Sequence, residues 1–324
     1  MFFIVGPSAT GKSELGADVA HELNTEIVSA DAFQIYRGLD LLTAKPDTST
    51  LAKAQHYLIG ITPLHEEMNA EKYRRLALRA IEEINSRGRL AIVVGGSGLY
   101  IKALTHGLPL LPTSDPKLRE KLNAMSLDEL RWQLDELDPQ TARKIDVKNR
   151  RRLVRALEIC LLTGKPASVA IGGVAAVAEG VDPGDLGDVR PQSAPAATSP
   201  KTSPAAGVFV FRDRQDLYER INQRVEAMFE KGVIEEVRAA GKTSMTALQM
   251  IGLREIRELV DGKMSLLQCI AEIQQSTRRY AKRQLTWFRH QSNFESLNLS
   301  LFTHNEAVKW ISQRARGCFA QRDD

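Results

Sequence analysis

Apolar positions along the first hundred residues switch between two periods. Phe2 to Val5 is a short, continuous apolar run, as in a strand buried on both faces. From Ser13 to Asn24, Leu15, Val19 and Leu23 recur four apart on one helical face, and Glu26 to Ala30 reads as a second strand. Tyr73, Leu76, Ala77, Ala80, Ile81 and Ile84 again follow helical spacing, with Gly88 placed as a C-terminal cap. Leu90 to Val94 is a further buried strand, and it runs into Gly95-Gly96-Ser97-Gly98. This alternation predicts an α/β fold with a parallel sheet and ligands at the carboxyl ends of its strands. Asp31 and both Gly-rich turns, Gly6 to Gly11 and Gly95 to Gly98, fall at that edge.

Farther along, the pattern changes twice. From about Pro112 to Thr163 it predicts helices alone, with charged faces. Residues 169–206 hold five prolines and five glycines and no aromatic, a composition that buries too little apolar surface to offset its ordering entropy and so predicts a disordered tether. Val208 to Phe211 resumes as a strand. Leu217, Ile221, Val225, Met228, Ile234 and Val237 mark a long helix, and Leu266, Ile270, Ile273, Thr277, Tyr280 and Phe288 another. The expected organisation is a catalytic core over 1–111 and 207–300, a helical insertion over 112–168, the disordered insert, and a C-terminal tail over 301–324.

The first turn carries chemistry. Gly6-Pro7-Ser8-Ala9-Thr10-Gly11-Lys12-Ser13 is the phosphate-binding P-loop pattern, set between a strand and a helix as its function requires. Its glycines let backbone N–H groups converge on a phosphate at the positive end of the helix. Lys12 supplies a mobile charge and Ser13 a hydroxyl for Mg²⁺. The fold class is therefore a P-loop NTPase-like parallel sheet flanked by helices.

Composition narrows the field. At 324 residues and 43% hydrophobic, the chain can bury one large core or two smaller ones. No run approaches a membrane span, and the first apolar run leads into a phosphate loop instead of a cleavage site, so a cytoplasmic protein without a membrane partner is expected. Cys160, Cys269 and Cys318 have neither metal-ligand nor disulfide spacing. The net charge is only +4, but the basic residues are clustered. Arg278, Arg279, Lys282, Arg283 and Arg289 lie beside Tyr280, Trp287 and Phe288 with no acid between Glu272 and Glu295. Arg143, Lys144, Lys148, Arg150, Arg151, Arg152 and Arg155 face only Asp146. Such clusters fit a polyphosphate such as RNA, and equally fit solvated helix faces.

Together the motifs bring the chain close to a known family: it resembles the bacterial tRNA dimethylallyltransferases, which are similar to the plant adenylate isopentenyltransferases. The matching segments are the P-loop; Ser29-Ala-Asp-Ala-Phe-Gln-Ile-Tyr-Arg37 leading to Thr43-Ala-Lys-Pro46; Gly95-Gly-Ser-Gly-Leu-Tyr100; Arg152-Leu-Val-Arg-Ala-Leu-Glu158; Arg220-Ile-Asn-Gln-Arg224; and Thr277 to Arg289. The resemblance implies transfer of a dimethylallyl group from dimethylallyl diphosphate to the exocyclic N6 of adenosine 37, in the anticodon stem-loop of certain tRNAs, with Mg²⁺ as cofactor and a monomeric enzyme. It implies Asp31 as general base, Ser8 near the reacting groups and Arg224 on the leaving diphosphate. The P-loop residues would hold that diphosphate. It also implies tRNA contacts at Asp31, Ala32, Phe33, Gln34, Ser97, Arg119, Arg151, Arg152, Arg155 and the segment Gln249 to Arg254, making 112–168 a tRNA-binding subdomain.

The chain departs from the family's pattern at Ala32, usually serine; at Leu41-Leu42, usually Ile-Gly; and at Tyr57-Leu-Ile-Gly60, usually His-Leu-Ile-Asp. Three other readings share parts of the pattern. A small-molecule P-loop kinase would use the same loop and an aspartate after the second strand. A tRNA-binding protein with an impaired site would bind without turnover, and a prenyltransferase acting on AMP would need neither basic cluster.

Overall fold

A computed structural model describes residues 1–109, 111–170, 206–291 and 294–320. The predicted tether over 169–206 lies almost wholly outside these residues. The chain divides into two compact units, one of Met1–Thr105 with Ala196–Asp324 and one of His106–Pro195.

The first unit is built on six parallel strands: β1 (Phe2–Val5), β2 (Ile27–Ala30), β3 (His56–Tyr57), β4 (Ile92–Gly95), β5 (Gly207–Phe211) and β6 (Glu295–Asn298), in the order β3-β2-β4-β1-β5-β6. Successive strand residues point to opposite faces, and the two faces fill two cores. Phe2, Ile4, Ile27, Ile92, Val94, Val208 and Val210 pack under α1 (Lys12–Glu22) and the C-terminal helix (His304–Ala320), which contributes Ala307, Val308, Ile311 and Ala315. Phe3, Val5, Val28, Ala30, Val93 and Phe209 pack on the opposite side with residues of α3 (Ala70–Ser86) and of the helices that follow β5. Burial on both faces explains why these strands read as continuous apolar runs.

Before β5 this unit also holds helices α2 (Thr48–Lys53) and α4 (Gly98–Thr105). Those of the second unit are α5 (Pro116–Ala124), α6 (Leu127–Leu137), α7 (Pro139–Lys144), α8 (Arg150–Thr163) and α9 (Ala167–Ala170), around Leu122, Leu130, Leu134, Leu153 and Leu157. After β5, back in the first unit, come α10 (Arg214–Glu230), α11 (Val233–Ala239), α12 (Leu253–Val260), α13 (Leu266–Gln291) and α14 (His304–Ala320).

Two expectations need correction. The long helix over Leu217 to Val237 is two helices, because Gly232 takes φ +91 and breaks the hydrogen-bond ladder between α10 and α11. Apolar spacing continues across the break, so the pattern alone could not reveal it. Within 301–324, α14 closes one face of the sheet instead of trailing from it. Among the described residues, no helix is long and apolar enough to cross a membrane.

Candidate active site

Three strand ends meet at one level. Register pairs Val5 with Gly95 and Ala30 with Gly95, so the turns leaving β1, β4 and β2 stand side by side. The P-loop, the Gly95–Gly98 turn and Asp31 thereby share one edge, where the strand order reverses. Glycine is required for this closeness. A Cβ on Gly6 would lie 2.2 Å from the Val210 carbonyl oxygen, and one on Gly95 would lie 2.1 Å from that of Ala30.

The P-loop is braced from within and without. Ala9 and Gly11 take positive φ, 66° and 91°, which curls the backbone before α1. Thr10 Oγ1 donates to the Pro7 carbonyl at 3.0 Å, and Lys12 Nζ donates to the same oxygen at 3.2 Å. Two arginines hold outward-facing carbonyls: Arg220 Nε donates to Ala9 O at 3.0 Å, and Arg212 Nε to Thr10 O at 2.9 Å. Arg212 is itself fixed by Asp216 at 2.9 Å. Ser8 and Ser13 lie partly exposed on the loop and at the start of α1.

Asp31 is partly exposed just past β2, and its Oδ1 accepts from the backbone N–H groups of Phe33 at 2.9 Å and Gln34 at 3.2 Å. The aspartate thus initiates a turn, as short acidic side chains commonly do. Both bonds use one oxygen, so Oδ2 takes no part in them. Burial lowers the Lys12 ammonium to about 8, opposed by the nearby Asp31 charge and aided by Arg224. Burial likewise pushes the Arg224 guanidinium down, with Asp31 opposing. Lys12, Asp31 and Arg224 therefore share one electrostatic environment. Behind Asp31, Tyr73 donates to the Ser29 carbonyl at 3.1 Å and stacks on Tyr100 at 3.8 Å; burial raises both phenols, and Asp31 adds to the shift.

Sequence reasoning missed Gln284. This side chain on α13, 4% exposed, accepts from Ser8 N–H at 2.9 Å through Oε1 and donates to Gly96 O at 2.8 Å through Nε2. It bridges the two Gly-rich turns. Its only sequence signal is its place inside the Thr277–Arg289 segment.

Of the residues singled out for RNA contact, Ala32 N–H donates to Ser97 Oγ at 2.8 Å, which places both beside Asp31. Gln34 is buried and donates to the carbonyls of Thr43 at 3.3 Å and Ala44 at 2.8 Å, so it shapes a loop. Phe33 lies 6.5 Å from the Tyr280 ring. Gln249 ends a short 3₁₀ turn, and Arg254 is exposed beside Glu255 and Glu258. In the second unit, Arg119 grips Glu158 with two bonds of 3.0 Å, and Arg155 adds one of 2.5 Å to this fully buried carboxylate. Arg152 is buried at the start of α8, whereas Arg151 is exposed there.

The family's departures are accommodated locally. The Leu41 and Leu42 N–H groups donate to the Glu236 carboxylate at 2.8 and 2.9 Å. Tyr57 donates to Glu26 at 3.0 Å. Gly60 takes φ +63, and a Cβ there would stand 3.5 Å from Lys45 Nζ, which pairs with Asp40 at 2.5 Å.

Comparison with known proteins shows the family. The family model for IPP transferase matches residues 34–291. Among relatives, the tRNA dimethylallyltransferase 1 of Citrifermentans bemidjiense is 42% identical over 287 residues, covering 87% of each chain. The tRNA dimethylallyltransferase of a Sulfurihydrogenibium species is 37% identical over 318 residues, 97% of this chain and 96% of the relative. The crystal structure of the tRNA isopentenylpyrophosphate transferase from Bacillus halodurans superimposes with a TM-score of 0.67 at 32% identity, covering 99% of this chain and 97% of that one. The chain belongs to the IPP transferase family.

Proposed function

We propose that this enzyme transfers a dimethylallyl group from dimethylallyl diphosphate to N6 of adenosine 37 in the anticodon stem-loop of tRNA, acting as a monomer in the cytoplasm. The observation that carries the reading is the meeting of the P-loop, the Gly95–Gly98 turn and Asp31 at one sheet edge, with the Lys12 and Arg224 charges in electrostatic reach of Asp31.

The adenine N6 lone pair is delocalised into its ring, so attack on carbon requires loss of a proton as the bond forms. Asp31 Oδ1 is held by two backbone N–H groups, which fixes the carboxylate and leaves Oδ2 to take that proton. The N6–C bond forms, the allylic C–O bond breaks, and its electrons leave with the diphosphate. Negative charge then grows on the diphosphate, where Lys12, Arg224 and the loop amides would stabilise it. Ser8, within the P-loop, would lie near the reacting groups. A hydroxyl at the first turn of α1 fits Mg²⁺, which takes few protein ligands and several from substrate phosphates. Ser13 would hold the ion against the diphosphate, where it would neutralise charge on the leaving group. The adenosine must leave its stack, at a cost of a few kcal/mol that is least in a loop. Ala32, Phe33 and the Gln249–Arg254 segment would contact the RNA around it, whereas Ser97 is buried behind the Ala32 N–H group and serves to shape the turn.

The test pairs a stem-loop carrying adenosine 37 with one carrying guanosine there, each incubated with dimethylallyl diphosphate. Prenylated nucleoside from the first and none from the second is the expected result. Prenylation of free AMP in preference to either would overturn the choice of acceptor.

A further inference from the structure

We infer that Gln284 is a positioning residue that sets the distance between the diphosphate cradle and the carboxylate base; this rests on the reaction proposed above. A continuous chain of contacts joins the two. Ser8 N–H donates to Gln284 Oε1 at 2.9 Å, Gln284 Nε2 donates to Gly96 O at 2.8 Å, and the adjoining Ser97 Oγ accepts from Ala32 N–H at 2.8 Å, one residue after Asp31. Gln284 sits 276 residues from Ser8 and 188 from Gly96, so α13 carries this link across the whole first unit.

The surroundings leave the amide little choice. Gln284 is 4% exposed, and a buried amide engaged at both ends has a fixed orientation. A Cβ on Gly96 would stand 2.5 Å from Gln284 Nε2 and 2.8 Å from Gly6 O, so the absence of a side chain there is what admits the amide. One turn along α13, Trp287 packs where a Cβ on Gly98 would be 2.6 Å from its ring, which sets the helix against the same turn. Farther back, Arg278 donates to Asn222 at 2.7 Å, tying α13 to the helix that bears Arg224. Both ends of the bridge demand opposite roles: one needs an acceptor, the other a donor. Glutamine supplies both without charge. A glutamate would satisfy Ser8 but set a carboxylate against the Gly96 carbonyl, and only its protonated form would restore the donor.

The experiment compares Gln284→Met, Gln284→Glu and the unaltered enzyme. Transfer to tRNA is followed by kcat and KM across pH, and inorganic pyrophosphate binding is measured in parallel. Positional errors of this size cost up to about 10²-fold in rate. Gln284→Met should lower kcat by at least about tenfold, with the KM for tRNA within about threefold. Pyrophosphate binding should weaken severalfold. The kcat of Gln284→Glu, divided at each pH by that of the unaltered enzyme, should climb as pH falls, because protonation rebuilds the bond to Gly96. Dividing in this way removes the pH dependence that the two enzymes share. A Gln284→Met enzyme with unaltered kcat and pyrophosphate affinity would overturn the inference. So would a Gln284→Glu ratio that is flat with pH while thermal stability falls, since that is the mark of a packing role alone. If the unaltered chain binds pyrophosphate yet prenylates no tRNA, the proposed reaction fails, and pyrophosphate affinity alone decides the role of Gln284.

Discussion

Burial of Lys12 stores free energy that an anion can release. Its ammonium, lowered to about 8 by desolvation, is charged below that pH at a cost to the fold of roughly 3 kcal/mol relative to an exposed lysine. The sign follows from linkage: between about 8 and the ordinary 10.5 the unfolded chain binds the extra proton, so this group makes the fold more stable as pH rises through that window. Diphosphate binding favours the charged form. Above pH 8 donor binding should therefore take up a proton and weaken progressively, measurable as a rising Kd and a buffer-dependent heat; a Kd flat to pH 9.5 would remove Lys12 from the cradle. At the neighbouring base, Asp31→Asn keeps an oxygen for the Phe33 and Gln34 N–H groups but accepts no proton. Turnover should fall by about 10²–10⁴ with tRNA affinity retained in a filter-binding assay. Unchanged turnover would take Asp31 out of its role. These residues were legible because each stands in a contiguous motif beside a strand end. Gln284, Arg212 and Arg220 were not, since what they touch lies 276, 202 and 211 residues away, and no local pattern encodes such a separation.

At the scale of elements, the strands were the easiest to read. Burial on both sheet faces makes them apolar throughout, and their parallel pairing followed from alternation with helices, whereas their order was not legible. β6 was missed because Glu-Ser-Leu-Asn is polar and only Leu297 is buried, an edge strand whose pairing comes from β5 alone. β3, two residues long, is too short to show any period. The break at Gly232 was hidden for a different reason: it depends on one backbone angle, not on the apolar pattern. Gly232→Ala should cost about 1–2 kcal/mol, because a left-handed conformation is strained for any residue with a Cβ, and should appear as a lower melting temperature. A melting temperature equal to the parent's would mean that α10 and α11 can fuse without penalty.

For the molecule as a whole, composition suggested a helical insertion over 112–168, and the chain divides into Met1–Thr105 with Ala196–Asp324 and His106–Pro195. A strand-free stretch between two halves of one sheet has to be an insertion, because a parallel sheet cannot otherwise resume at β5. The purpose of its charges was less visible. Arg119 and Arg155 read as RNA contacts, yet both hold Glu158, a buried carboxylate that sequence could not distinguish from a solvated one. Removing it should destabilise the helical unit: Glu158→Ala should cost about 2–4 kcal/mol, discounted because both arginines are partly exposed. Urea unfolding followed through Trp132 fluorescence would show this as an earlier transition, and an unshifted midpoint would mean the arginines find other partners at no cost. The role of the paired strand ends can be put to one direct trial. Total tRNA is incubated with the enzyme and either dimethylallyl diphosphate or ATP, then digested to nucleosides for mass analysis. A dimethylallylated adenosine formed only with the prenyl donor is the expected outcome. Transfer of the terminal phosphate of ATP to an acceptor, with no prenylated nucleoside under either condition, would contradict it.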